Sequence, residues 1–299
     1  MEEIDFTDFK VAIRTIGERT ESACYKLLAD ALPNHQIDIV KEQPFKKAVD
    51  TSLRMGIASR KKWLLCIDAD VLINRDGLFD LMSFALKSGE DVFAIQGLIA
   101  DKLLGVMRPA GNHIYRLSLA TKALNLIADS LRPESDMIKG MAKNGYSWHQ
   151  TGDLVGLHDY EQFYSDLFKK SFLHYIKHKK HMVDVEKFWA SNASEQDYRM
   201  ALWGSLAGRL SDLNQITIDS EIIAETAKAN FNISWVLEKN EYKYTNKINV
   251  FIEQELSNYK SSSNHYLQNR IFPKRNWNKK YQVEQTKSIK NRVLEKLGF

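Results

Sequence analysis

Residues 62–70, Lys62-Trp63-Leu64-Leu65-Cys66-Ile67-Asp68-Ala69-Asp70, decide the fold. Five apolar side chains run without interruption into an acidic turn. A run of that kind suits a strand buried on both faces, as in the parallel sheets of α/β proteins. Working upstream, Ala48 to Ser59 reads as a helix and Gln36-Ile37-Asp38-Ile39-Val40 as a second strand. Glu21 to Leu32 places Ala23, Cys24, Leu27, Leu28 and Leu32 at helical spacing, and Pro33-Asn34 ends that helix. Lys10-Val11-Ala12-Ile13 is the first strand. The order β-α-β-α-β predicts a doubly wound α/β sheet. Ligands of such sheets bind beyond the carboxyl ends of the strands, where Arg14-Thr15 and Asp68-Ala69-Asp70 both fall.

The acidic turn carries the chemistry. A divalent cation such as Mn²⁺ or Mg²⁺ takes hard oxygen ligands and keeps positions open for phosphate oxygens. Residues i and i+2 leaving a strand can point to one side. One carboxylate can then bind the ion while the other holds a ribose or a metal-bound water. The alternative is a solvated turn capping the next helix.

Downstream, Leu78 to Lys87 reads as helix, Asp91 to Ile95 and His113 to Leu117 as strands, and Ser135 to Lys143 as a helix stopping at Asn144-Gly145. Beyond about residue 160 strand alternation fades. Helices are expected over Tyr160–Lys180, Ser194–Leu213 and Asp219–Leu237. The last stretch, from Ser261, interleaves Arg270, Lys274, Arg275, Lys279 and Lys280 with Tyr266, Phe272, Trp277 and Tyr281.

The 299 residues are 44% hydrophobic and 27% charged, which provides for a sizeable core and argues against disorder. A formal net charge of +4 suits a protein that handles anionic phosphates and is too weak to imply nucleic-acid binding. The two cysteines, Cys24 and Cys66, sit in apolar patterns without metal-ligand spacing, the usage of a reduced, cytoplasmic chain. The acidic start, Met1-Glu2-Glu3-Ile4-Asp5, lacks the apolar core of a secretory signal, and no apolar run approaches the length of a membrane span.

Several motifs in order resemble the GT-A glycosyltransferases, in particular the large inverting family with a nucleotide-binding and an acceptor-binding half. Ile13-Arg14-Thr15 resembles the end of that family's first strand. Lys46, Ala48, Ser52 and Gly56 lie on a helix similar to the one leading to its acidic strand, and Asp68-Ala69-Asp70 matches its Asp-x-Asp. Gly111-Asn112-His113-Ile114-Tyr115-Arg116 resembles its acceptor-side strand. Pro133-Glu134-Ser135-Asp136, through a helix to Asn144-Gly145-Tyr146, resembles its acidic catalytic motif. The usual Glu-Asp pair is absent there, and Gly140 stands where an Arg is usual. Gly156-Leu157-His158-Asp159 resembles the C-terminal metal-binding His of many GT-A enzymes. The resemblance spans roughly residues 8–160.

It implies a GT-A type, Rossmann-like mixed sheet flanked by helices. A catalytic domain would cover 1–165, with a nucleotide-binding half over about 1–105 and an acceptor half over about 106–165. Beyond the resemblance, the residue pattern reads as a mainly helical region, 166–299, that would serve acceptor binding, dimerisation or membrane-surface attachment. Asp68, Asp70 and His158 would hold Mn²⁺ or Mg²⁺. Arg14, Thr15, Glu18, Lys46, Asp68 and Ala69 would contact the nucleotide of a donor sugar, expected to be UDP-linked. Glu134 or Asp136 would be the general base for an inverting transfer, and Trp148 would stack on the acceptor. Glu134 and Asp136 also read as first-turn acids complementing a helix dipole, and Trp148 as a core residue. The partners implied are a nucleotide-sugar donor and a glycan or lipid-linked glycan acceptor, at the cytoplasmic face of a membrane. The basic aromatic end suits contact with an anionic surface, and its charges read more simply as a solvated basic helix face.

Two other enzyme classes share features. Leu64 to Val71 also fits the first motif of haloacid-dehalogenase-type phosphatases, with Asp68 as nucleophile. That motif normally begins the fold, and here a β-α-β-α unit precedes it. A sugar nucleotidyltransferase would show a Gly-rich, Arg-containing loop after the first strand, which Thr15-Ile16-Gly17-Glu18 is not. A non-catalytic interaction protein keeping the fold is the remaining alternative.

Overall fold

The computed structural model describes residues 6–33, 35–211, 237–262 and 280–281. Strands β1 (Phe9–Arg14), β2 (Ile37–Val40) and β3 (Trp63–Asp68) alternate with helices α1 (Glu21–Ala31) and α2 (Phe45–Ala58). β1 pairs in parallel with both β2 and β3, as the βαβ pattern requires. The run that decides the fold lies at the centre of this unit. Leu64, Leu65, Cys66 and Ile67 are fully buried, and burial of each leucine or isoleucine contributes about 1.5–3 kcal/mol.

Past β3 the sheet becomes mixed. A short β4 (Val71–Ile73) leads through α3 (Arg75–Leu86) to β5 (Val92–Asp101), β6 (Val106–Arg108) and β7 (Asn112–Arg116). The Asn74 side chain accepts from the Gly77 N–H at 2.8 Å and caps α3. α4 (Ala120–Leu124) and α5 (Pro133–Lys143) precede the long β8 (Ser147–His158). Strand order is β2-β1-β3-β7-β5-β8-β4, with β6 beside β5 and β9 (Lys280–Tyr281) beside β8. β7 is antiparallel to β3 and β5, and β4 is antiparallel to β8. The architecture is therefore a mixed α/β sheet flanked by helices.

Sequence periodicity located β1 to β3 within a residue or two. It did not find β4 or β8, and it ended β5 six residues early. β8 opens on the mixed run Ser147-Trp148-His149-Gln150-Thr151, where period-2 patterning fails, and β4 is only three residues, Val71-Leu72-Ile73, too short to show a period.

Four helices follow among the described residues: α6 (Tyr164–His178), α7 (Met182–Ser191), α8 (Gln196–Leu210) and α9 (Ile248–Ser262). α6, α7 and α8 bury Phe168, Phe172, Trp189 and Met200 together with Leu103, Leu104 and Val106. α8 approaches α6 closely because Gly204 faces it; a Cβ there would lie 2.2 Å from the Phe168 carbonyl oxygen. α9 returns to the sheet and places Ile248, Ile252 and Leu256 in the same core as β1, β3 and α1. The helices thus pack on the sheet domain through two apolar cores. The helix read over 219–237 lies outside the described residues except at its last position. The basic aromatic residues from Tyr266 to Lys279 also lie outside them, with the membrane contact expected there. Among the described residues no helix is long and apolar enough to cross a membrane.

Candidate metal and donor site

Strand register assembles the site. β8 ends between β4 and β5, with His158 opposite Val71 on one side and Asp101 on the other. The antiparallel register places Asp70, one residue before β4, against the end of β8. The acids of β5 and of the β3–β4 turn therefore converge on His158. Its Nδ1 lies 3.1 Å from Asp101 Oδ2 and its Nε2 lies 3.4 Å from Asp70 Oδ2. Asp159 follows at once, fully buried and in the left-handed region at φ 62°. A non-glycine residue there is strained, and such strain gathers at sites whose surroundings fix it.

Asp70, His158 and Asp159 offer ligand atoms that all lie within 4.8 Å of one another. Asp70 is 7% exposed, and its Oδ1 has no hydrogen-bond partner among the described residues. An unpaired buried carboxylate oxygen is costly. Together with carboxylate and imidazole donors it fits a divalent ion such as Mn²⁺. Asp101 would then play the orienting part, fixing the imidazole from the far nitrogen. Asp101 is itself held by Arg108, 2.6 Å away.

Burial opposes the charged form of the His158 imidazole, but Asp159 and Asp70 outweigh it and hold its pKa well above the usual value. Burial would likewise raise Asp70, but Lys170 and His158 keep its carboxyl well below the usual range. Lys170 comes from α6. Its Nζ lies 2.5 Å from Asp70 Oδ2 and pairs also with Asp159.

Gly111 closes the back of the site. It has φ 62°, and a Cβ there would lie 2.5 Å from Val71 Cγ2 and 3.3 Å from His158 Cδ2. Only glycine meets both demands without displacing its neighbours.

Asp68 takes a different partner. It is the register partner of Arg14 across the parallel β1–β3 ladder, and Arg14 Nε donates to its Oδ1 at 2.8 Å. Arg14 Nη1 reaches Glu134 at 2.5 Å, and the Tyr115 hydroxyl donates to the same carboxylate. Burial would raise Glu134, but Arg14 and then His113 outweigh it and hold its pKa at about 2. Phe45 stacks over the guanidinium at 5.0 Å.

Arg14, Phe45 and Asp68 border a cleft of about 250 Å³ lined also by Thr15, Glu18, Asp70 and, from α6, Asp166, Lys169, Lys170 and Lys177. The loop after β1 is organised by Glu18, whose carboxylate accepts from the Ile16 N–H at 2.8 Å and lies 2.7 Å from Thr15 Oγ1.

The structure brings Asp70 and His158 together, with Nε2 3.4 Å from Oδ2, and places Arg14, Thr15, Glu18 and Asp68 on one cleft. It parts from the sequence reading elsewhere. Asp68 stands in the Arg14 pair and outside the three-ligand cluster, because the ladder register fixes its neighbour. Asp159 takes the third place. Glu134 is locked by Arg14 and Tyr115, and a carboxylate held at about pH 2 is a weak proton acceptor. Asp136 pairs on the surface with Lys139 and Ser130. Neither of these acids lines the cleft. Ala69 contributes only backbone, its N–H donating to the Arg14 carbonyl and its carbonyl accepting from Thr20. Lys46 is absent from the lining, where its neighbour Phe45 stands instead. Trp148 packs against the core formed by β3, α2 and α5.

Sequence reading missed Lys170, Asp166 and Lys169, since nothing in a polar helix marks which face meets a distant strand end. The signal for Asp159 was its position beside His158.

No family model matches the sequence, and no curated protein matches it. Solved structures similar to the chain include a mannosyltransferase, PcManGT from Pyrobaculum calidifontis, in complex with GDP-Man and Mn²⁺. The match has 11% identity and a TM-score of 0.41, over 90% of this chain and 88% of that one. A glycosyltransferase involved in glycosylation of the major capsid of PBCV-1 matches at 12% identity and a TM-score of 0.31. That match spans 40% of this chain and 66%, just under two thirds, of the other.

Proposed function

We propose that this protein is a GT-A type, metal-dependent glycosyltransferase that moves a sugar from a nucleoside diphosphate sugar to an acceptor hydroxyl. The observation that carries the reading is the convergence of Asp70, His158 and Asp159, with one buried Asp70 oxygen lacking a partner among the described residues, where Asp70 lines a lysine-bearing cleft. A divalent ion held by these three residues would neutralise charge developing on the departing diphosphate.

Lys169 and Lys177 add positive charge where the phosphates would lie. Arg14, fixed between Asp68 and Glu134, holds the acidic turn in place. Thr15 and Glu18 shape the cleft beside β1, where the nucleoside is expected, UDP-linked on the sequence resemblance. The proton acceptor for the incoming hydroxyl is Asp166. It lines the cleft, makes no hydrogen bond among the described residues, and burial raises its pKa above the ordinary carboxylate value, against the opposing pull of Lys170 and Lys169.

Calorimetric titration of UDP, GDP and CDP, with and without Mn²⁺, tests the reading. Binding of one nucleotide that requires the metal, lost in Asp70→Asn, is the expected result. Metal-dependent hydrolysis of a phosphate monoester without nucleotide binding would replace it with the phosphatase reading, in which Asp68 is the nucleophile. Silence in both assays would leave a non-catalytic protein of this fold.

A further inference from the structure

The three candidate ligands already face a cation. Lys170 Nζ stands 2.5 Å from Asp70 Oδ2 and pairs with Asp159, so one ammonium contacts two of the three groups and balances the charge of only one carboxylate. The Lys170 side chain is 22% exposed, at the open side of the site, while Asp159 is fully buried behind it. Asp70 keeps its other oxygen, Oδ1, without a partner among the described residues. The ammonium therefore satisfies the cluster only in part. Three oxygen and nitrogen donors around an ion of charge two give a more complete arrangement than one monovalent group on a flexible stem.

Lys170 also has somewhere to go. Lys169 and Lys177 line the same cleft from the same helix, and Arg14 borders it from β1. An ammonium freed from Asp70 and Asp159 stays on α6, within the part of the cleft where a diphosphate would meet positive charge.

We propose that Lys170 is a resident counter-cation of the Asp70–His158–Asp159 cluster, that a divalent ion displaces it, and that the displaced ammonium then pairs with the donor diphosphate. This rests on the metal-dependent donor reading above. Ion and donor therefore bind in order. Without the ion, Lys170 is engaged with carboxylates and the cleft presents uncompensated acids to an anionic ligand. With it, the same side chain changes from competitor to contact.

The consequence is a pair of opposite effects from one substitution. Lys170→Met removes the competitor, so Mn²⁺ should bind the full-length protein at least about tenfold more tightly in the absence of nucleotide, measured by electron paramagnetic resonance of free Mn²⁺. In the same variant, at saturating Mn²⁺, affinity for the nucleoside diphosphate identified by the titration should fall by about tenfold. A lysine serving only to stabilise the fold would move neither in that pattern. Should Lys170→Met not fold without metal, Lys170→Arg provides the second test. A guanidinium pairs with two carboxylates more rigidly than an ammonium, so Mn²⁺ affinity should drop below that of the natural protein.

Unchanged or weaker Mn²⁺ binding in Lys170→Met, or tighter binding in Lys170→Arg, would overturn the exchange. If the natural protein still bound Mn²⁺ through Asp70 in that case, the transferase reading would stand. Absence of Mn²⁺ binding in the natural protein and in Lys170→Met alike would remove both.

Discussion

Arg14 and Asp68 are register partners at the carboxyl ends of β1 and β3, and their side chains close that register with Nε 2.8 Å from Oδ1. The same guanidinium binds Glu134 on α5, 120 residues away in sequence. One buried arginine thus ties the first strand, the acidic turn and the second half of the sheet together. Removing it would leave a buried carboxylate without its counter-ion. Arg14→Met should cost roughly 3–5 kcal/mol of stability, read by guanidinium denaturation. Arg14→Lys should recover only part of that, because one ammonium cannot serve both acids. A loss below about 1 kcal/mol for Arg14→Met would contradict the anchoring role.

The same cluster sets a pH dependence. Glu134 titrates at about 2 in the fold against an ordinary 4.5. A carboxyl depressed by folding stabilises fully above its unfolded pKa, and that stability is lost as pH falls from about 4.5 through about 2, an effect of roughly 3 kcal/mol. His113 adds an earlier step. Burial pushes it down to about 4 from an ordinary 6.5, so it stabilises above 6.5, and this is lost as pH falls toward 4. Denaturation followed from pH 7 to 2 should lose its upper step in His113→Phe and its lower step in Glu134→Gln. A profile unchanged by both substitutions would show that other groups govern acid unfolding.

Asp101 acts behind the candidate ligands. It faces His158 Nδ1 at 3.1 Å and Arg108 at 2.6 Å, with no exposure to solvent. Asp101→Asn keeps the shape but removes the charge that orients the imidazole. Mn²⁺ affinity should fall about 10–100-fold. Full affinity in a folded Asp101→Asn protein would mean that Asp159 alone positions His158.

Gly111 should tolerate no side chain. Alanine would sit in the left-handed region, at roughly 1–3 kcal/mol, and its Cβ would press on Val71 and His158. Gly111→Ala should lower both the thermal midpoint and Mn²⁺ affinity. A variant with only the first effect would separate Gly111 from the site.

Gly204 links packing to the cleft. Its missing side chain lets α8 lie against the Phe168 carbonyl of α6, two residues before Lys170. Gly204→Ala should push α6 outward, cost roughly 1–3 kcal/mol, and weaken nucleotide binding through Lys169 and Lys170. Thermal melts and nucleotide titration on one preparation check both, and unaltered binding would show that α6 shifts without moving its lysines.

Much of the frame was written in the sequence. The apolar run Trp63-Leu64-Leu65-Cys66-Ile67 and its helical neighbours determined a βαβαβ unit with Arg14 and Asp68 at one edge, because local burial periodicity and βαβ handedness leave few other arrangements. Asp70 and His158 were legible as candidate ligands from their motifs. The division of labour among the acids was not. Asp68 and Asp70 are two residues apart, yet a parallel ladder hands one to Arg14 and an antiparallel ladder hands the other to His158. Glu134 became an anchor once the packing of α5 brought it to a buried guanidinium. Lys170 entered the site because the packing of α6 brings its ammonium to Asp70 and Asp159. Pairings of this kind depend on register and helix approach between residues from 54 to 120 positions apart, which only the tertiary structure decides.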